Sequence, residues 1–461
     1  VSNVVFDLFK VFSSNFLVLV VGIINGFLIP KFLGIEQYAI YKTFGLYVGY
    51  VGILHFGFID GIYIKYGGIR PNEIPKSDLK SEWLFLLSFQ SLITVIWVIL
   101  AYLVDQPLLI SVSLSILPIN LITFYKFLYQ ATGDFSSYAK INSLRPVLLL
   151  TSTLILIFLV REKSAAFFIA ASVIVPYMIF SVLLFRQVKQ FKNVGNSPVL
   201  SKNNFSNISV GIFIMIGNLS SMFFYSMDRW FVKFLLTTED FSYYSFAVSM
   251  MGMVMILISS VAMTFYPMLV REKDNQELIN KLKTYLMILG ALSSVTYFFF
   301  DIVVRSYLPN YSPSLGVIAI LFAGFPAIAV INAIYVNLYK AQKVEKKYFF
   351  TVIGMAAVSF SLNLVAVLVN KSNITIALAT TVAFYFWFFY SSKDFRGAQT
   401  SFKEIIYLVL FLAVFFITTR MTYLWFGLPL YIIGVLAITC IFYKSELTEL
   451  ISKILKPLKK R

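Results

Sequence analysis

Apolar runs of about twenty residues, each closed by charged residues or by clusters of Pro, Gly and Asn, recur along the whole chain. A run of that length spans the ~30 Å apolar core of a bilayer at about 1.5 Å per helical residue, and it is twice the length of an alternating barrel strand. The pattern predicts fourteen transmembrane helices, over residues 12–33, 38–62, 83–104, 108–130, 141–160, 165–185, 207–236, 241–268, 284–304, 315–339, 349–369, 374–392, 404–421 and 424–443. The first run has no small-x-small cleavage pattern after it and ends in Pro30-Lys31, so it reads as the first span rather than a cleaved signal.

An internal repeat organises these spans. Lys31-Phe-Leu33 returns as Lys233-Phe-Leu235 at an offset of 202, and Tyr38 and Tyr41 return as Phe241 and Tyr244 at 203. Leu128-Tyr-Gln-Ala131 returns as Leu338-Tyr-Lys-Ala341, and Tyr138 as Tyr348, at 210. Two echoes in the same order at nearly the same offset indicate two copies of one unit. The expected fold is an all-α polytopic membrane protein with two six-helix lobes related by pseudo-two-fold symmetry, plus two C-terminal helices. The expected boundaries are an N-lobe over 1–190, a linker over 191–204, a C-lobe over 205–396, spans 13 and 14 over 397–443, and an amphipathic basic tail over 444–461. The linker contains Gly195, Asn196, Ser197 and Pro198, a composition that lets the lobes rock. In the tail, Leu447, Leu450, Ile451, Ile454, Leu455 and Leu458 share one helical face, opposite Lys453, Lys456 and Lys459, as in a helix lying on anionic lipid.

Composition agrees with the spans: 59% of the 461 residues are hydrophobic and only 13% charged, and mean hydropathy is +0.84. The net charge of +17 would suggest nucleic acid in a soluble protein. Here the alternating gaps explain it, because 29 of the 38 Lys and Arg fall on the side of the N-terminus and seven on the other. That asymmetry puts both termini in the cytoplasm and removes the nucleic-acid reading. A single Cys440 and a single His55 exclude a disulfide and a Cys- or His-based metal centre.

Charged residues inside spans are costly and therefore candidates for function. Lys42 and Asp60 lie in span 2, Asp228 and Arg229 in span 7, and Lys31 and Lys233 near the outer ends of spans 1 and 7. In a cavity lined by spans 1, 2, 7 and 8, Lys31, Lys42, Arg229 and Lys233 would form a cationic surface suited to a diphosphate. Against this, Lys31 and Lys233 can simply snorkel to the outer interface, and Asp228 and Arg229 point about 100° apart on a helix. His55, Asp60 and Asp228 are candidates for proton or sodium coupling. The competing readings are a hydrogen-bonded packing role for His55 and a solvated helix end for Asp60. Gly45, Gly49, Gly52, Gly57 and Gly61 make span 2 thin enough for close helix packing, and Pro30, Pro118, Pro176 and Pro326 are candidate bends or hinges. Among the aromatics, Tyr225 and Tyr243 are candidates to stack on sugars.

The segment Ile29-Pro-Lys-Phe-Leu-Gly34, Glu36-Gln-Tyr38 and Tyr41-Lys42, followed by Gly57-Phe-Ile-Asp-Gly61, resembles the polysaccharide flippases, including O-antigen transporters, of the multidrug/oligosaccharidyl-lipid/polysaccharide exporter superfamily. The six-plus-six-plus-two layout is similar to that superfamily over nearly the whole chain. The resemblance implies alternating access in the bacterial cytoplasmic membrane. The cargo would be a polyprenyl-diphosphate-linked glycan moved to the outer leaflet, with membrane lipids and polysaccharide polymerase machinery as partners. It implies no cofactor, with energy from a sodium or proton gradient or the membrane potential. By position in similar lipid II flippases, Lys31 and Lys42 would meet the diphosphate, with Arg229 from the other lobe. Span 8 departs from that pattern, carrying no basic residue before Arg271. A drug antiporter of the same superfamily is the alternative, with Asp228 as its coupling carboxylate. A sugar polymerase or ligase would need a large outward loop, and the longest outward gap is only 301–314, which counts against an enzyme.

Overall fold

The computed structural model describes residues 2–195, 198–272, 274–421 and 424–455, and every element among them is helical. Twelve of these helices are long and apolar enough to cross a membrane, and a bent pair, Ser314–Phe322 with Phe325–Ala341, makes a thirteenth span. The first of the twelve covers 46 residues, Lys10–His55. At about 1.5 Å per residue that is more than twice the hydrocarbon thickness, so it holds two spans. They divide at Gly34, whose φ of 73° and ψ of 175° no other residue type adopts without strain. The chain is thus a multi-pass membrane protein of about fourteen helices, as the apolar runs predict. The break falls at Gly34 rather than at Pro30, which sits inside the helix.

Two compact units make up the chain, Val1–Met222 and Phe223–Arg461. The first contains α1 (Ser2–Gly49), α2 (Phe58–Lys65), α3 (Lys76–Leu103), α4 (Pro107–Leu114), α5 (Ile116–Ala131), α6 (Phe135–Leu154), α7 (Ala165–Phe191) and the N-terminal part of α8 (Lys202–Leu235). Its core gathers Phe58, Ile59 and Ile62 of α2 with Trp83 and Leu86 of α3 and Leu121 and Phe124 of α5. The polar segment before α8 is held to this unit: Lys80 Nζ donates to Val194 O at 2.7 Å, and Ser81 Oγ to Pro198 O at 2.6 Å. Asn204 then donates to Ser81 Oγ at 3.1 Å.

The second unit contains the rest of α8, then α9 (Thr238–Arg271), α10 (Gln276–Ser293), α11 (Thr296–Tyr307), α12 (Ser314–Phe322), α13 (Phe325–Val330), α14 (Val336–Ala341), α15 (Glu345–Val369), α16 (Asn373–Ser392), α17 (Phe402–Thr419) and α18 (Leu424–Leu455). The span made by α12 to α14 is its centre, with Phe325 and residues 327–331 wholly inaccessible and Pro326 buried among them. Such a helix can break because other helices surround it and satisfy its backbone. Thr381 Oγ1 donates to Ile320 O at 2.9 Å, Ser294 Oγ to Phe322 O at 2.8 Å, and Tyr385 OH to Ala323 O at 2.8 Å. Near the start of α17, Lys283 Nζ meets Glu404 Oε2 at 2.6 Å, the two side chains being 0% and 3% exposed.

Local construction repeats where the sequence does. The helix ending at Ala131 and the helix ending at Ala341 are each followed, two residues on, by a positive φ, at Gly133 (73°) and Lys343 (56°). The next helices begin at Phe135 and Glu345, keeping the offset of 210. In the second copy the span bends by 47°, and its second piece opens with Pro326 in the first turn of α13, where the missing N–H has no intrahelical partner to lose; in the first copy Pro118 lies in the first turn of α5, after a one-residue interruption at Ser115 that keeps helical dihedrals. Pro176, by contrast, lies inside an uninterrupted α7. At the other end of the chain α18 kinks at Tyr443, and Glu449 pairs with Lys281. The face expected at Leu450, Ile451, Ile454, Leu455 and Leu458 lies outside the residues whose side chains are described.

Candidate functional site

The second span is not one helix. After Gly49 the chain tightens into a 3₁₀ turn, Val51–His55, and passes through left-handed Phe56 and Gly57 (φ 51° and 81°) before restarting as α2. The break frees backbone carbonyls inside the membrane, where no water can satisfy them. Two buried amides take their place. Asn120 Nδ2 donates to Val51 O at 3.3 Å and Gln90 Nε2 to Leu54 O at 3.1 Å, while Asn120 also donates to Gln90 Oε1 at 2.7 Å.

Inside this turn the structure brings His55 and Asp60 together. The Gly57 N–H donates to His55 Nδ1 at 3.1 Å, so a neutral ring carries its proton on Nε2. Nε2 lies 3.8 Å from Asp60 Oδ2, too far for a hydrogen bond. Asn218 of α8 reaches Asp60 Oδ1 at 3.5 Å. Asp60 is only 5% exposed and sits in the first turn of α2, so the solvated helix end expected for it is corrected to a buried carboxylate at a helix N-terminus. Gln90, Asn120 and Asn218 were absent from the sequence-derived candidates. Each is a lone amide within an apolar run, and that is the signal that marks it.

Glycine allows this region to close against α8. A Cβ on Gly57 would collide with the backbone of Gly211 and Ile212, and one on Gly61 with the Asn207 carbonyl. Gly45, Gly49 and Gly52 have nothing within 4 Å of a Cβ, so only the last two of the five span-2 glycines serve close packing.

In the second unit, Asp228 is 3% exposed and both its oxygens are engaged: Tyr244 OH donates to Oδ2 at 2.8 Å and the Arg229 backbone N–H to Oδ1 at 2.7 Å. Among the described residues no ion pair joins the two side chains, as their angular separation on a helix predicts. Arg229 is half-buried, with Nε lacking a hydrogen-bond partner. Lys233, one turn on, lies 5.3 Å from the Phe241 ring centroid. Tyr225 is engaged within its own unit, donating to Asn332 Oδ1 at 3.0 Å and packing on Phe384 at 5.5 Å between ring centroids. Tyr243 packs edge-on against Tyr311.

The remaining cations lie in the first unit. Lys31 is exposed just before the Gly34 break, and half-buried Lys42 lies 5.2 Å from the Tyr38 ring centroid. Arg145 belongs with them: it lies ten residues inside α6, about 15 Å from the helix start. It is within electrostatic reach of Tyr41 and Lys126, and its Nε has no hydrogen-bond partner. The apolar run began only at Ile141, and so the helix start at Phe135 was missed.

No family model matches the sequence, and no curated protein does. Solved structures do match the fold. One titled lipid II flippase MurJ, in an inward closed conformation, matches with a TM-score of 0.69 at 16% identity, covering 96% of this chain and all of that one. Two others match more loosely. A MOP superfamily transporter from Pyrococcus furiosus has a TM-score of 0.49 at 12% identity over 85% of this chain and 96% of that one. A mutant of the Vibrio cholerae MATE transporter VcmN has 0.42 at 13% over 84% and 96%. At these identities the likeness is one of fold.

Proposed function

We propose that this chain is a flippase that moves a polyprenyl-diphosphate-linked oligosaccharide, such as an O-antigen or other surface-polysaccharide repeat unit, from the cytoplasmic to the outer leaflet by alternating access. The observation that carries the reading is the match in fold, over 96% of this chain and all of the other, to a lipid II flippase. The cations fit an anionic cargo: Lys31 and Lys42 on the first two spans, and Arg229 with an unpartnered Nε at the end of α8. Within the first unit Lys42 offers a point charge, and within the second Arg229 offers a guanidinium fork, each a chemistry suited to phosphate oxygens. Lys31 lies on the same helix as Lys42, and Lys233 one turn beyond Arg229.

Energy coupling, to protons, sodium or the membrane potential, is assigned in this reading to His55 and Asp60 rather than Asp228. The Asp228 carboxylate is occupied by Tyr244 and the Arg229 N–H, whereas the contacts of Asp60 with Asn218 and His55, at 3.5 Å and 3.8 Å, are both long. The same observation weakens the antiporter alternative, for which Asp228 was the coupling group.

The test is outer-leaflet exposure of a polyprenyl-diphosphate oligosaccharide in cells lacking their own flippase, comparing the native chain with Arg229→Ala and Lys42→Ala at matched membrane abundance. The native chain should expose the glycan, and each variant should reduce exposure at least tenfold. A native chain that moves no lipid-linked glycan but extrudes a cationic dye would replace this reading with the antiporter.

A further inference from the structure

Within the first unit a trough of about 700 Å³ runs between α1, α6 and α7, with Tyr129 of α5 at one end. Its apolar walls come from α6 and α7, among them Leu144 and Leu148 on one side and Met178 and Val182 on the other. The polar lining is confined to one end: Tyr129, Ser137, Lys140, Ser143 and Arg186. Lys140 lies in the first turns of α6, Arg186 in the last turns of the antiparallel α7, and Tyr129 near the end of α5, so three helices deliver polar groups to the same level.

We propose that this trough binds an anionic phospholipid of the cytoplasmic leaflet, with its phosphate on Lys140 and Arg186 and an acyl chain along Leu144, Leu148 and Met178. Three observations converge on that occupant. Neither cation has an acidic partner among the described residues, and both are exposed, while the nearby Asp134 is engaged in accepting from the Ser137 N–H at 3.0 Å to cap α6. An Arg fork and a Lys point charge together match a phosphate monoanion, and basic clusters between membrane helices on the cytoplasmic side recognise such headgroups. The apolar wall from Lys140 to Leu148, and from Arg186 back to Met178, runs about 12 Å, which matches one leaflet of a ~30 Å core. The Lys and Arg excess of the alternating gaps places this end at the cytoplasmic face. The site is separate from the residues assigned to the transported cargo.

The experiment is native mass spectrometry of the full chain released from detergent containing equal phosphatidylglycerol and phosphatidylethanolamine of the same acyl composition. The native chain should retain phosphatidylglycerol at least threefold over phosphatidylethanolamine. Lys140→Glu with Arg186→Glu should abolish that preference, whereas Lys189→Glu, on the same helix end but outside the trough, should keep it. Val182→Trp should lower retention of both lipids by filling the apolar wall, with unchanged elution on size exclusion as the control for folding. Equal retention of the two lipids by the native chain, or a preference that survives the double substitution, overturns the proposal. Displacement of phosphatidylglycerol by an equimolar polyprenyl diphosphate also overturns it, in favour of a loading site for the cargo.

Discussion

Gly61 faces the Asn207 carbonyl so closely that a single methyl group on its Cα would overlap it. α2 therefore packs on α8 backbone to backbone. This contact lies beside the His55 and Asp60 pair and helps hold the broken second span in place.

Gly61→Ala must force α2 and α8 apart or distort Asn207, an overpacking that typically costs about 1–3 kcal/mol. Gly45→Ala meets open space and should leave stability unchanged or slightly raised. The melting temperatures of the two purified variants check this. Equal values would mean that the α2–α8 approach is not tight in the folded protein.

Asn120→Ala leaves the Val51 carbonyl and the Gln90 side-chain oxygen without their donor in a buried setting, at about 1–3 kcal/mol for each unsatisfied group. Gln90→Ala removes the donor to Leu54 O and breaks the same network. The double variant should therefore be less destabilised than the sum of the singles by about 0.5–3 kcal/mol. Additive losses in a double-mutant cycle would argue against one network.

Lys283→Met strands the buried Glu404 carboxylate and should destabilise the second unit by about 3–5 kcal/mol. Lys283→Met with Glu404→Leu removes both charges, and should recover most of that loss. Chemical denaturation of the two variants in detergent distinguishes the outcomes; a double variant as unstable as the single would show that the pair contributes through something other than charge compensation.

The apolar runs alone determined the all-helical membrane class and, to within a few residues, most of the spans, because transfer of a twenty-residue segment into a bilayer is a local property of that segment. Repeat echoes such as Leu128–Ala131 and Leu338–Ala341 marked positions that the backbone builds alike, down to the positive φ at 133 and 343. The breaks at Phe56–Gly57 and at Gly324–Phe325 were decided by tertiary structure. A carbonyl freed inside a membrane is tolerable only where a distant donor reaches it, and Asn120, Gln90, Thr381 and Tyr385 are distant in sequence. For the same reason the charges inside spans could be found by reading, whereas their partners could not. His55 faces Asp60 across the turn at Phe56–Gly57, Asp228 meets Tyr244 of the next helix, and Arg145 lies deep in α6 because that helix starts at Phe135.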